Sequence, residues 1–362
     1  MKTEENRNAL DFLKFVFAIL IVLFHSNMLT SDQENMIVIN GRAGVEFFFM
    51  VSGCLMCATA ARSTEENIGL DTWYFIKKKI FRLMPNYLIA YVLAFIVYHY
   101  NASITEWNRI CINAIKSLPE LLLIKNSGVR FASYNGPTWY ISAMILNMLV
   151  LYPLIRKFKD SFYIIALVLI LFILGAFFQT YGTFSDLEDW NGWILKGTVR
   201  GTAGLCAGCL CYKVAMILRR KKWTTFAKSM FMLIEWECYI IAIIFFCKYA
   251  SSRVDYLIFF LFMIGVTITY SNISFDKTLF QSRIFCWLGS FSFSLYLSHS
   301  CWREFTSNIY PQQWGFTERL ICYLLAAVWS GLFVHYLSIL LRALKSEKMK
   351  DIKALFIVPA ED

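Results

Sequence analysis

The first residues in the chain able to do chemistry are Asp11, Lys14 and His25, all within one apolar run, NALDFLKFVFAILIVLFHSNM. Lys14 and His25 stand close to three helical turns apart, so they share a helix face with a separation of roughly 16 Å along the axis. Asp11 lies three residues before Lys14, where it can pair with it. A lone His in a helix is ordinarily a packing residue and a lone Lys a snorkelling anchor. Sharing one face with an ion pair makes His25 read as a proton acceptor. Glu46 opens the next apolar run, GVEFFFMVSG. A short loop joins the two runs, so they are antiparallel and Glu46 lies at the depth of His25. That pairing suggests a general base with an orienting carboxylate.

A second group is cationic. In KKKIFRLMP, Lys79 and Arg82 lie three apart on one helix face. Such clusters commonly set membrane orientation and bind anionic lipid head groups, and they also capture phosphorylated ligands. Trp139 in GPTWYIS, Arg200 one turn after Lys196, and His299 at the end of GSFSFSLYLSHS approach the opposite surface. Trp belongs to an aromatic belt there, and an intramembrane Arg needs a partner or a water-filled cavity. Cys206 and Cys209 form a CxxC in an apolar helix with no His nearby, so they and most of the 11 Cys read as small buried hydrophobes. No metal site is expected. His99 and His335 have no polar company at helical spacing and read as packing residues.

These side chains are set in 362 residues that are 58% apolar and 17% charged, with mean hydropathy +0.53. Soluble domains carry roughly 45–50% and 25%, so an ordinary soluble enzyme is excluded. Stretches of about 20 apolar residues predict an all-α polytopic membrane protein with about ten transmembrane helices. They fall near 9–29, 43–61, 80–100, 137–155, 161–180, 193–214, 230–248, 254–271, 284–301 and 318–341. Segment 111–124 is short and interrupted by Lys116, Pro119 and Glu120, and reads as interfacial or re-entrant.

Basic residues gather on alternate connections: Lys77, Lys78, Lys79 and Arg82; Arg156, Lys157 and Lys159; Arg219 to Lys222; and Arg342, Lys345, Lys348 and Lys350. The positive-inside rule then places both termini in the cytoplasm. The net charge of +10 is thereby mostly a record of orientation, and no nucleic-acid partner is expected. With 17 Gly and 6 Pro there is no linker, so 1–362 reads as a single transmembrane domain with no extra soluble domain.

Taken in order, these motifs resemble the integral-membrane acyltransferase 3 family, which includes O-acetyltransferases of bacterial surface polysaccharides. The matching pieces are Lys14 and His25 with the LDFLK lead-in, GVEFFFMVSG, and Lys79 and Arg82 ahead of Pro85. GPTWYIS followed by Tyr152 and Pro153, and GSFSFSLYLSH, complete the set, which spans about residues 7–341. The resemblance implies transfer of an acyl group, usually acetyl from acetyl-CoA, to a sugar hydroxyl of a glycan or glycolipid in the cytoplasmic (inner) membrane. His25 matches the family's essential His, and Lys14, Lys79 and Arg82 match its basic positions. Two of these are Lys where members commonly have Arg, which keeps charge but loses the bidentate fork. Where many relatives carry charged residues after the Trp, this chain has Ile141, Ser142 and Ala143, so no acid–base role falls there.

On this reading the CoA phosphates sit on Lys14, Lys79 and Arg82, and His25 acts as general base or carries the acyl group, with Glu46 orienting it. Trp139, Arg200 and His299 hold the acceptor. The partners are acyl-CoA, a carbohydrate or glycolipid acceptor and the lipid bilayer, with a homo-oligomer left open. The alternative is a glycolipid or polysaccharide-precursor transporter or flippase. Such a protein should show paired interrupted helices in two related halves, and the sequence has neither.

Overall fold

The computed structural model describes residues 8–30, 32–128, 132–184, 190–191, 194–274, 280, 282–303 and 313–345. Lys348 and Lys350 lie outside the described residues. A backbone in hydrocarbon must satisfy its own N–H and C=O groups, so the apolar runs fold as helices. In chain order these are α1 (Asn8–Ser26), α2 (Gly44–Arg62), α3 (Ile68–Asn101), α4 (Trp107–Lys116), α5 (Leu118–Leu121), α6 (Thr138–Phe158) and α7 (Ser161–Thr180). A minimal antiparallel pair, β1 (Trp190–Asn191) with β2 (Ile194–Leu195), leads into α8 (Lys196–Arg220). Then follow α9 (Thr225–Lys248), α10 (Val254–Ser271), α11 (Arg283–Ser298) and α12 (Phe316–Lys345).

Among the described residues, nine helices are long and apolar enough to cross a membrane: α1, α2, α3, α6, α7, α8, α9, α10 and α12. The protein is therefore an all-α polytopic membrane protein. The expected span at 284–301 falls on α11, whose 16 residues stop at His299 before a further helical stretch at 300–303.

Two further elements differ from the sequence expectation. The third span, expected at 80–100, begins at Ile68, where the Asn67 side chain caps the helix by accepting from the Leu70 N–H at 3.0 Å. Its 34 residues reach about 51 Å, well beyond the roughly 30 Å hydrocarbon core. Lys and Arg are good helix formers, so the basic run lies inside this helix rather than ahead of it. Segment 111–124 splits in two. α4 buries none of its residues, while the single turn of α5 carries Glu120 fully inside.

Two parallel helix contacts position the polar residues. α1 lies beside α11, with Asp11 against Gly289 near one end and His25 against His299 near the other. α2 lies beside α8, and there the backbones touch. A Cβ added at Gly208 would sit 2.0 Å from the Met50 carbonyl oxygen, and one at Gly53 would sit 2.2 Å from that of Leu205. Small residues allow this approach where apolar lipid gives helices no hydrophobic reason to associate. Thiols take up carbonyls across the same contact, Cys54 Sγ with Gly208 O at 3.1 Å and Cys209 Sγ with Gly53 O at 3.9 Å. Both cysteines are buried, as read from the sequence.

Gly208→Ala is therefore expected to destabilise by about 1–3 kcal/mol, even though Ala gains about 1 kcal/mol over Gly in helix propensity. Gly175, in α7, has no atom within 4 Å of an added Cβ. Its Ala variant is the control and should melt no lower than the parent in detergent. A Gly208→Ala melting temperature equal to that control would refute the contact.

Candidate active site

One cavity of about 410 Å³ lies between α1, α2, α3, α6, α11 and α12. Lys14, Lys79 and Arg82 all line it, so the three cations singled out in the sequence converge from two helices. Arg342 of α12 joins them. Lys14 Nζ pairs with Asp11 Oδ1 at 2.7 Å. Arg342 donates to Asn86 Oδ1 at 2.5 Å and to the Arg82 carbonyl at 3.2 Å. Asn86 in turn donates to Ser294 Oγ at 2.7 Å, which ties α12, α3 and α11 together. Arg82 and Arg342 are exposed, so the cavity has a cationic mouth. Its walls include Phe48, Ser52, Tyr140 and Tyr296.

A smaller cavity of about 160 Å³ is lined by His25, Arg42, Trp139, Ser300 and Arg303, and again by Tyr296. Tyr296 thus borders both. His25 is half-buried, and its ring centre lies 5.1 Å from that of His299. His299 is fully buried. Its Nδ1 lies 2.7 Å from the Tyr296 carbonyl and 3.3 Å from that of Leu295. Carbonyls only accept, so Nδ1 carries the hydrogen and Nε2 of the neutral ring is left as an acceptor. That Nε2 is buried without a hydrogen-bond partner among the described residues. His299, expected from the sequence near the outer mouth, is thus enclosed beside His25. The pairing of these two imidazoles is set by the α1 contact with α11.

The structure does not bring Glu46 into contact with His25 as the sequence reading expects. The Glu46 carboxylate is held by Arg200 Nε in a fully buried ion pair, and among the described residues no hydrogen bond or ion pair joins it to His25. Arg200, expected from the sequence to hold the acceptor, is likewise engaged within the protein. It also donates to the carbonyls of Phe184 at 3.1 Å and Arg42 at 2.8 Å, and is 2% exposed. α2 and α8 run in parallel, so two residues 154 positions apart meet at one depth and neutralise each other. A buried guanidinium requires such pairing.

Trp139 does line the smaller cavity, with the Arg200 guanidinium 5.6 Å from its ring. Lys196, one turn before Arg200, lies over the Tyr181 ring at 3.5 Å. His99 packs against Phe95 and Tyr134, and its two ring nitrogens are also hydrogen-bonded, to the Phe95 carbonyl at 2.8 Å and to Asn113 Nδ2 at 3.1 Å. His335 does more than pack, since it lines the larger cavity.

The loop that delivers Trp139 is built around Glu120. Its carboxylate accepts from the backbone N–H of Tyr134 at 2.8 Å and of Asn135 at 3.1 Å, and from Thr138 Oγ1 at 2.7 Å. Lys125 Nζ donates to the Asn135 carbonyl at 3.1 Å. Asn135 reaches the Leu297 carbonyl at 2.9 Å, and Tyr296 donates to the Pro137 carbonyl at 3.1 Å. The loop is thereby fastened to the end of α11, beside the two histidines.

Sequence reasoning overlooked Arg42, Glu120, Tyr296, Ser300, Arg303 and Arg342. Tyr296 and Arg303 had a usable signal, lying one turn before and one turn after His299. In the sequence Arg342 reads as an orientation charge and Glu120 only as an interruption.

This fold and site define a polytopic membrane protein with two neighbouring intramembrane cavities, one cationic and one holding a histidine pair. The chain matches the family model described as an acyltransferase domain, of the acyltransferase 3 family, over residues 7–337. It belongs to that family and is a membrane acyltransferase. No curated protein and no solved structure matches it.

Proposed function

We propose that the protein moves an acetyl group from cytoplasmic acetyl-CoA to a sugar hydroxyl of a surface polysaccharide or glycolipid precursor, in the cytoplasmic membrane with both termini inside. The observation that carries this reading is the shared wall at Tyr296 between the cationic cavity and the cavity that holds His25. A CoA thioester has polyanionic phosphates at one end, a long thin arm and a reactive carbonyl at the other. The cations on Lys14, Lys79, Arg82 and Arg342 suit the phosphates, and the roughly 16 Å from Lys14 to His25 suits the arm.

His25 takes the proton of the acceptor hydroxyl as its oxygen attacks the thioester carbonyl. The new C–O ester bond forms and the C–S bond breaks. The proton held on His25 passes to the leaving thiolate, so the products are the acylated sugar and free CoA. His299 acts as a positioning residue, its buried ring packed beside that of His25. Glu46 and Arg200 serve as a structural strut instead. Trp139 offers an aromatic face to the acceptor sugar.

Membranes of source cells with and without the chain, supplied with radiolabelled acetyl-CoA, test the proposal. Label is expected in a surface glycan or glycolipid only when the chain is present. Equal labelling with and without it would overturn the reading of acetyl-CoA as donor and a surface glycan or glycolipid as acceptor.

A further inference from the structure

Three aromatic rings from three helices meet where the two cavities adjoin. Phe48 of α2, Tyr140 of α6 and Tyr296 of α11 have ring centres 6.2 Å (Phe48 to Tyr140), 6.1 Å (Phe48 to Tyr296) and 6.0 Å (Tyr140 to Tyr296) apart. All three line the larger cavity, and Tyr296 lines the smaller one as well. The Tyr296 ring is in turn 6.0 Å from the ring of His299, which neighbours His25.

Two of the rings are fastened by their hydroxyls. Tyr140 bonds Ser52 Oγ at 3.1 Å, and Tyr296 donates to the Pro137 carbonyl at 3.1 Å. The Tyr296 anchor belongs to the loop held by Glu120, so its ring has little freedom to swing aside. Phe48 has no polar anchor and is only half-buried, presenting its ring to the cavity.

We propose that Phe48, Tyr140 and Tyr296 form a collar that sets the length of the acyl group, admitting acetyl and excluding longer chains. The proposal rests on the acyl-CoA reading above and adds a selectivity filter to it. For transfer, the thioester carbonyl must come within about 3–3.5 Å of the acceptor oxygen. The acyl tail hangs from that carbonyl, so each added methylene is pressed toward the wall that Tyr296 shares between the two cavities, which Phe48 and Tyr140 back with apolar rings. A methylene that does not fit a hydrophobic site of this kind discriminates by roughly 10- to 200-fold.

The test is a competition. Source-cell membranes containing the native chain receive equal amounts of acetyl-, propionyl- and butyryl-CoA, and the acyl groups on the product glycan are counted by mass spectrometry. Acetyl is expected to exceed propionyl by about tenfold or more. Phe48→Ala should reduce that ratio by about tenfold, with Phe48→Leu between the two. Ratios within one sample do not depend on how much protein folds, so a loss of general packing lowers all three products together and leaves the ratio unchanged. A native protein without preference, or a Phe48→Ala ratio equal to the native one, overturns the collar. Should Phe48→Ala yield no product, the Phe48→Leu ratio decides in the same way. Failure of the native chain to transfer any of the three acyl groups overturns the acyl-CoA reading itself, and the collar with it.

Discussion

Replacement of His25 by Ala is expected to lower acyl transfer by roughly a hundred- to ten-thousand-fold while the protein still inserts and folds. The activity loss follows from the role of the imidazole, since a sugar hydroxyl does not attack a thioester at neutral pH unless its proton has somewhere to go. The survival of the fold follows from position. His25 is half-buried and opens on the smaller cavity, so truncation enlarges an existing space instead of opening a new one in packed apolar core. Initial rates of label transfer, normalised to the amount of folded protein in the membrane, are the measurement. Full activity in a folded His25→Ala protein would remove His25 from the chemistry.

Arg200→Met should act on stability instead. The Glu46 carboxylate is wholly buried, one oxygen held by Arg200 and the other, Oε2, without a hydrogen-bond partner among the described residues. Deleting the guanidinium strands that charge, at a cost of about 3–5 kcal/mol. It also releases the Phe184 and Arg42 carbonyls that Arg200 ties to α8. Folded yield and melting temperature in detergent should both fall sharply. A second change, Glu46→Gln, removes the orphaned charge, so the double variant should recover much of the loss. An Arg200→Met protein as stable as the parent, but with a raised KM for the acceptor, would instead restore Arg200 to the substrate-binding role expected from sequence.

The contrast between these two arginine readings shows what was legible and what was not. Hydropathy is a property of each segment by itself, and so is helix geometry. The all-α polytopic architecture and the shared face of Lys14 and His25 therefore follow from the sequence with no knowledge of neighbours. That Lys14, Lys79 and Arg82 lie near one depth follows in the same way and the family resemblance groups them, but that they line one cavity depends on how α1 and α3 pack around it.

Lateral neighbours are another matter. In lipid the outer face of a span is as apolar as the inner one, so periodicity carries little information about which helix a face meets. Only the tertiary structure decided that α1 lies beside α11, which brings His299 rather than Glu46 to His25. It also decided that α2 closes on α8 through Gly53 and Gly208, which gives Glu46 its partner in Arg200. The same holds for α5. Glu120 reads as an interruption along the chain, yet inside the bundle its carboxylate gathers the N–H groups that hold the Trp139 loop to the histidine pair. A buried carboxylate needs donors that a helix of its own cannot supply, and which donors it finds depends on the packing of segments distant in sequence.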